Sequence, residues 1–409
     1  MHPVIGVDFD LKNVSFTPQT TLEAAKKWAA HTAPVATKTT VHDVYLAASR
    51  KPSDATTMTL VVDPARNARG YVLNLSHTLA SQAGYEIMQE YMTQLALTDS
   101  ELGLDAIFTP ETVAGARPRL PQSLCHAYAR HYQPTPQDLQ EVMRNQEEAQ
   151  ARWARSSVGI PVHPDWQNRP SRIHTKVLTF EPWETLAARK CLKQMRLTLT
   201  TAFFACITSA IANTFPTGEE EGAHLLFSGN ARRWLDFDGD GQGPVTMGII
   251  PGGMWIDGRE ANVRATDKQG LIRLAKAIER AQDRDFASPH IIALWDQMAP
   301  ALAQAMGAPQ VPAATPMIGR PTLTSQGIFD DNRVAKPGVD AMRMADCNSG
   351  GRNTDPGVCF AMNSFRGELR YNLLFDEKYF VQDDIMQLAY RVSGLFRRLT
   401  AEEPVQARL

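Results

Sequence analysis

Residues 57–97 constrain this chain more than any other stretch. Thr57–Val62 and Tyr71–Leu75 are rich in β-branched and aromatic side chains and are separated by a polar turn over Asp63–Gly70. The second segment runs through Ser76 into His77. Beyond it Ile87, Met88, Tyr91 and Leu95 recur at helical spacing, with Glu86, Gln89, Glu90 and Gln94 on the other side. The pattern predicts two strands followed by an amphipathic helix from about Gly84 to Leu97. A histidine at such a joint sits where a strand stops and a helix N-terminus begins, a place from which an imidazole can face a cavity instead of the core. His77 is therefore the first candidate for chemistry.

At 409 residues the chain exceeds the size at which one hydrophobic core usually keeps growing, so two lobes are expected. Hydrophobic residues at 43% and charged residues at 21% are ordinary for a soluble globular protein. The formal net charge is −2 and no block of lysines or arginines interrupts the sequence, which gives no footprint for nucleic acid or an anionic membrane. Small-molecule chemistry is the better starting point. The five cysteines (Cys125, Cys191, Cys206, Cys347, Cys359) are odd in number and dispersed, with neither CxxC pairs nor metal-ligand spacing. The start of the chain shows no charged segment followed by an apolar one, so a cytoplasmic protein is expected. The longest apolar run, Leu197–Ala212, carries five hydroxyl residues and falls short of the roughly 20 residues that span a bilayer. It reads as a buried helix.

Along the chain, helices are expected at Thr21–Ala30, Thr135–Arg155, Trp183–Met195, Thr200–Asn213 and Asp267–Gln282. A last helix begins at Asp383 or Asp384 and turns Ile385, Leu388, Val392, Leu395 and Leu399 inward. Strands are expected at Arg172–Phe180, His224–Gly229, Cys359–Met362 and Leu369–Phe375, and a strand–bulge–strand at Met247–Ile256. Val158–Ser171, with three prolines, reads as a connector, and Ala299–Pro321 as a long loop or crossover. Strands and helices alternate without a regular βαβ rhythm. The fold class is α+β, with an N-terminal lobe over residues 1–171 and a C-terminal lobe over 172–409.

At His77 the chain resembles the condensation-domain and chloramphenicol-acetyltransferase-like acyltransferases, a superfamily that includes plant BAHD enzymes and fungal trichothecene-type O-acetyltransferases. Their signature is HxxxD or HHxxxDG on the loop between a strand and the next helix. Here Ser76 stands where the first histidine would be, His77 matches the catalytic one, and Ser81 and Gln82 replace the aspartate and glycine. Further similarities follow in order: Thr198–Ala212 as the helix opening the second lobe, Asn230-Ala231-Arg232-Arg233 before Met247–Trp255, and the Leu323–Phe329 segment with Ser325.

The resemblance implies two chloramphenicol-acetyltransferase-like lobes with a tunnel between them, where an acyl thioester and an acceptor meet at the histidine. It implies acyl-CoA as cosubstrate with no bound cofactor, and a small-molecule acceptor bearing a hydroxyl or amine. A monomer with no nucleic-acid partner and no membrane span is expected. His77 is then the general base, a role typically contributing about 10² to 10⁴ in rate. An unperturbed imidazole, with a pKa of about 6.5, is mostly neutral at cytosolic pH. The tetrahedral oxyanion needs a donor at roughly 3 Å. Ser325, Asn230 and backbone N–H groups after His77 all qualify, and Ser81 and Gln82 complete the expected substrate-binding set. The two departures from the motif leave a second reading open, in which the same fold performs a cyclisation, isomerisation or pericyclic step.

Other motifs fail on their own terms. Asp236–Gly241 imitates the start of an EF-hand loop, but position twelve is Met247 and Pro244 interrupts it. Gly239–Pro244 is not GxGxxG and no helix follows it.

Overall fold

The structure is a computed structural model describing residues 7–9, 14–16, 21–50, 57–63, 68–74, 124–153, 155, 158–215, 222–235, 249–258, 260–298, 318–329, 346–353 and 355–401. His77, Ser81, Gln82, the helix expected over Gly84–Leu97 and the Asp236–Gly241 segment lie outside the described residues. The chain divides into two compact units. One comprises Met1–His131, Arg232–Ile249 and Asp331–Ala345; the other comprises Tyr132–Ala231, Ile250–Asp330 and Asp346–Leu409.

In the first unit, β1 (Val7–Phe9) pairs antiparallel with β2 (Val14–Phe16). Helix α1 (Leu22–Thr32) matches expectation. Strand β3 (Val35–Thr37) leads through α2 (Val41–Arg50) to β4 (Thr57–Asp63), which pairs parallel with β3 and antiparallel with β5 (Ala68–Asn74). The expected pair of strands is thus present, with the second starting three residues earlier than Tyr71. Its register runs from Asp63↔Ala68 to Thr57↔Asn74, so the last described pair stands three residues before His77 in sequence. Helix α2 was not expected. It is started by a reciprocal cap in which Asp43 N donates to Thr40 Oγ1 (3.1 Å) and Thr40 Oγ1 donates to Asp43 Oδ2 (2.6 Å). A short helix, α3 (Leu124–His131), closes the described part of this unit.

The second unit is built on a seven-stranded mixed sheet. Its path is β7 (Ile173–Phe180), β12 (Glu368–Asp376), β11 (Gly357–Phe365), β10 (Ile318–Phe329), β8 (Gly222–Asn230) and β9 (Ile249–Asp257). β10 is parallel to both β8 and β11, while β11–β12 and β12–β7 are antiparallel. Helices α4 (Pro136–Trp153), α5 (Pro182–Met195), α6 (Leu199–Thr214), α7 (Lys268–Asp285) and α8 (Gln382–Thr400) complete it, with a further helical stretch at 291–298.

Side chains alternate across a strand, so the register sorts the two faces of the sheet. Tyr371 points toward the helices. Its hydroxyl donates to Ala389 O (2.7 Å) and shares a hydrogen bond with Ser393 Oγ (2.8 Å), both on α8. Around its ring lie Phe203 of α6 at 5.1 Å and Phe180 at 6.4 Å, and Phe396 of α8 packs on Phe203 at 5.2 Å. Residues Ala202–Ala212 of α6 are buried, which explains an apolar helix with hydroxyls: Thr208 Oγ1 donates to Phe204 O (2.8 Å) and Ser209 Oγ to Ala265 O (2.6 Å). No single helix among the described residues is long and apolar enough to cross a membrane.

Three segments differ from expectation. The stretch read as a connector is stitched into the sheet: β6 (Ile160–Pro161) pairs with β10, and Val158 bridges Ala223. The strand–bulge–strand near Met254 is the single strand β9. Ile318–Pro321, expected to belong to a loop or crossover, begins β10, the central strand of the unit.

Candidate functional site

Of the five residues proposed from sequence, Asn230 and Ser325 are described. Asn230 is the last residue of β8 and is exposed; Ser325 lies on β10 and is also exposed. These strands are parallel neighbours, in the register Thr322↔Leu226 and Leu323↔Phe227. Ser325 follows Leu323 by two residues and Asn230 follows Phe227 by three. The fold therefore brings the two to nearly the same level of adjacent parallel strands, Asn230 at the end of β8 and Ser325 four residues before the end of β10.

Two aromatic rings fix the end of β8. Phe227 and Phe286 meet edge to face at 5.1 Å. A Cβ placed on Gly229 would lie 2.2 Å from Phe286 Cζ, and one on Gly252 of β9 would lie 2.5 Å from Phe227 Cζ. Only glycine lets the rings lie on the backbone just before Asn230.

Directly after Ser325 the β10–β11 register skips Gln326 and resumes at Gly327↔Asn363, with Gly327 at φ +84°. The displaced Gln326 Oε1 accepts from Ser349 Oγ and from Asn363 Nδ2 (3.3 Å). On β12, Asn372 Nδ2 donates to Asn348 Oδ1 (2.5 Å) and to Ser349 O. Because Asn363 pairs with Arg370 and Ala361 with Asn372, these asparagines share the sheet face opposite Tyr371 and the helices. Asn363 is 2% exposed and Asn372 1%, and among the described residues the Oδ1 of each has no hydrogen-bond donor. A buried carbonyl oxygen left without a donor costs about 1–3 kcal/mol. Two side by side are unusual, and such groups call for an explanation.

The segment over this cluster is clasped by Arg370. Its guanidinium binds Asp346 and Glu368 (Nε to Oε2, 2.7 Å) and donates to Cys347 O (3.3 Å). Sequence reading missed Gln326, Asn363 and Asn372. The signal was present in strands otherwise apolar, where polar residues occupy alternate positions that core packing would fill with aliphatic ones.

Among the described residues three thiols are held protonated. Burial pushes the thiols of Cys347 and Cys359 up to about 12 and raises that of Cys206 as well. His224 on β8, 1% exposed, is pushed down to about 3, first by burial and then by the charge of Arg320, so its imidazole is neutral near pH 7. Among the described residues no group of three His, Cys, Asp or Glu side chains is placed to hold a metal ion.

No protein-family model matches the chain. The acyl-CoA-dependent acyltransferase MAC2 of Pseudozyma antarctica (strain T-34) is 27% identical over 436 residues, covering 92% of this chain and 79% of that protein. Among solved structures, the TRI3 trichothecene 15-O-acetyltransferase from Fusarium sporotrichioides superposes with a TM-score of 0.76 at 12% identity, covering 97% of this chain and 83% of that one. The epimerization domain from the third module of tyrocidine synthetase B superposes at 0.56 with 9% identity, covering 98% and 85%. The α+β fold expected from His77 and the ordered similarities after it is the one these structures share.

Proposed function

We propose that the protein transfers an acyl group, acetyl first among them, from coenzyme A to a hydroxyl or amine of a small secondary metabolite. The observation that carries this reading is a relative named for acyl-CoA-dependent acyl transfer that matches 92% of the chain. The same fold also serves epimerization and cyclization domains, so fold alone leaves the reaction open and the relative favours acyl transfer over the cyclase or isomerase alternative.

In the proposed step neutral His77 takes the proton of the acceptor as its oxygen or nitrogen attacks the thioester carbonyl. The tetrahedral oxyanion collapses, the C–S bond breaks, and the imidazolium returns its proton to the departing thiolate. Ser325 and Asn230, on neighbouring parallel strands, are the proposed donors to the oxyanion or the acceptor, with Ser81 and Gln82 lining the approach. The carbonyl oxygens of Asn363 and Asn372 would accept an N–H or O–H of the bound substrate, which would account for their lack of a donor among the described residues. The division into lobes near residue 172 and a cytoplasmic monomer belong to the same proposal.

Thiol release from acetyl-CoA and octanoyl-CoA, measured with a panel of neutral alcohols and amines, tests it. His77→Ala is expected to lower the rate by about 10² to 10⁴. Equal background release by wild type and variant across the panel would end the acyl-transfer reading.

A further inference from the structure

Helix α5 presents an outward face unlike that of any other described helix. Trp183 and Leu186 are each 71% exposed. Positions 183, 186, 190 and 193 fall on one stripe of a helix with 3.6 residues per turn, and Arg189 and Arg196 flank it. Trp183, Leu186, Arg189, Lys190, Lys193 and Arg196 are all exposed, whereas Thr185, Ala188, Cys191 and Leu192 are buried on the opposite side. The two carboxylates near this face are already engaged. Glu181 and Glu184 form the capping box of α5, and Glu184 also binds Arg397 Nε at 2.6 Å, which holds it below the usual carboxylate range. The stripe is thus two large apolar groups followed by basic side chains.

At its far end α5 turns through 98° into α6. The elbow encloses an open cavity of about 420 Å³ lined by Arg189, Lys193 and Arg196 together with Leu192, Leu197, Thr198 and Leu199. Three cations line it, and Thr198 caps the N-terminus of α6 there, accepting from Thr201 N.

We propose that this face docks on an anionic lipid surface, with Trp183 and Leu186 entering the interfacial layer and the elbow cations receiving lipid phosphates. Charge complementarity selects the partner: an overall charge of −2 gives no general attraction, while helical periodicity gathers four cations on one side. A nucleic acid would use the cations and the indole but gains nothing from Leu186 at the centre of the stripe. A bilayer interface takes tryptophan, leucine and lysine stems alike. Residues 202–212 of α6 stay in the protein core, so the contact is peripheral.

Co-sedimentation of the full chain with vesicles of phosphatidylcholine containing about one third phosphatidylserine tests the proposal, against vesicles of phosphatidylcholine alone. Binding should be confined to the anionic vesicles and weaken with salt. Each surface cation contributes roughly fivefold to partitioning, so Lys190→Gln with Lys193→Gln is expected to weaken binding about 25-fold. Trp183→Ala with Leu186→Ala should reduce it further, and inorganic phosphate should not displace the protein. All four positions are exposed, so circular dichroism of the variants should match wild type. Absent binding, or equal binding to both vesicle types, would overturn the proposal. So would a dimer in sedimentation velocity that Trp183→Ala dissociates without vesicle binding, or retention on RNA in place of vesicles.

Discussion

Asn363→Leu should make this protein more stable and less active at once. The asparagine is 2% exposed, and its amide makes one long hydrogen bond, Nδ2 to Gln326 Oε1 at 3.3 Å, worth about 0.5–1.5 kcal/mol net. Gln326 Oε1 keeps its other donor, Ser349 Oγ, when that bond is lost. Against this stands Oδ1, buried with no donor among the described residues, whose removal returns about 1–3 kcal/mol. Leucine branches at the same atom and needs no hydrogen-bond partner, although its methyl groups are bulkier than the amide and offset part of the gain. The two terms combine to between about −0.5 and about +2.5 kcal/mol, centred on a stabilisation of about 1 kcal/mol, or a rise of a few degrees in the unfolding midpoint. If Oδ1 accepts a hydrogen bond from bound substrate, its loss should lower kcat/KM by roughly 5- to 100-fold, the equivalent of about 1–3 kcal/mol. Differential scanning fluorimetry and thiol-release kinetics on the same preparation read both. A lower midpoint with unchanged kcat/KM would refute the reasoning on both counts, because it would make the amide an ordinary structural group. Opposite movement of stability and activity is the mark of a residue kept for its ligand.

Tyr371→Phe removes a hydroxyl bonded to Ala389 O and Ser393 Oγ inside the aromatic core. It should cost about 1–3 kcal/mol by thermal melting, with Ser393→Ala adding less than its separate effect. Gly229→Ala forces a methyl to 2.2 Å from Phe286 Cζ and should cost about 1–3 kcal/mol, part of which Phe286→Leu recovers in the double variant. His224 is neutral in the fold with a pKa near 3 and titrates near 6.5 when unfolded. The unfolded chain binds the extra proton between those values, so this contribution is intact above about pH 6.5 and is lost as pH falls toward about 3. Urea midpoints across that range should fall less steeply in His224→Gln; parallel slopes would exclude the residue as a source of acid sensitivity.

How much of this was legible in the sequence depends on how local the cause was. Helix α7 was readable end to end because its cap and its stripe are both local: Asp267 Oδ1 accepts from Gly270 N at 2.8 Å, and Leu271, Leu274, Ala275, Ile278 and Ala281 are buried as spaced. The β11–β12 hairpin was readable for the same reason. Helix α2 was missed although its Thr40–Asp43 cap stands in the sequence, since the helix offers only a weak apolar face. The first third of β10 was missed because Gly319 and Pro321 read as loop residues. What makes them strand is pairing with β11 and β6, partners distant in sequence that leave no local signature. The polar cluster was hidden differently. Asn363 and Asn372 sit in strands whose apolar majority reads as core, and only the register shows that they turn to the other face.

The skipped register at Gln326 governs more than one side chain. A β-strand is an odd–even device, in which each residue's face is set by its count from the last paired position. On the near side of the skip Thr324 stands opposite Ala361; on the far side Gly327 stands opposite Asn363 and Ile328 opposite Ser364. One extra residue has reset the parity of everything beyond it. Deleting Gln326 would therefore preserve the reading, whereas deleting Gly327 while retaining Gln326 would ask a bulky amide to occupy a paired position that the glycine now fills. Elsewhere along the strand an insertion or deletion of one residue would invert its inside and outside, while a change of two would leave the pattern in phase.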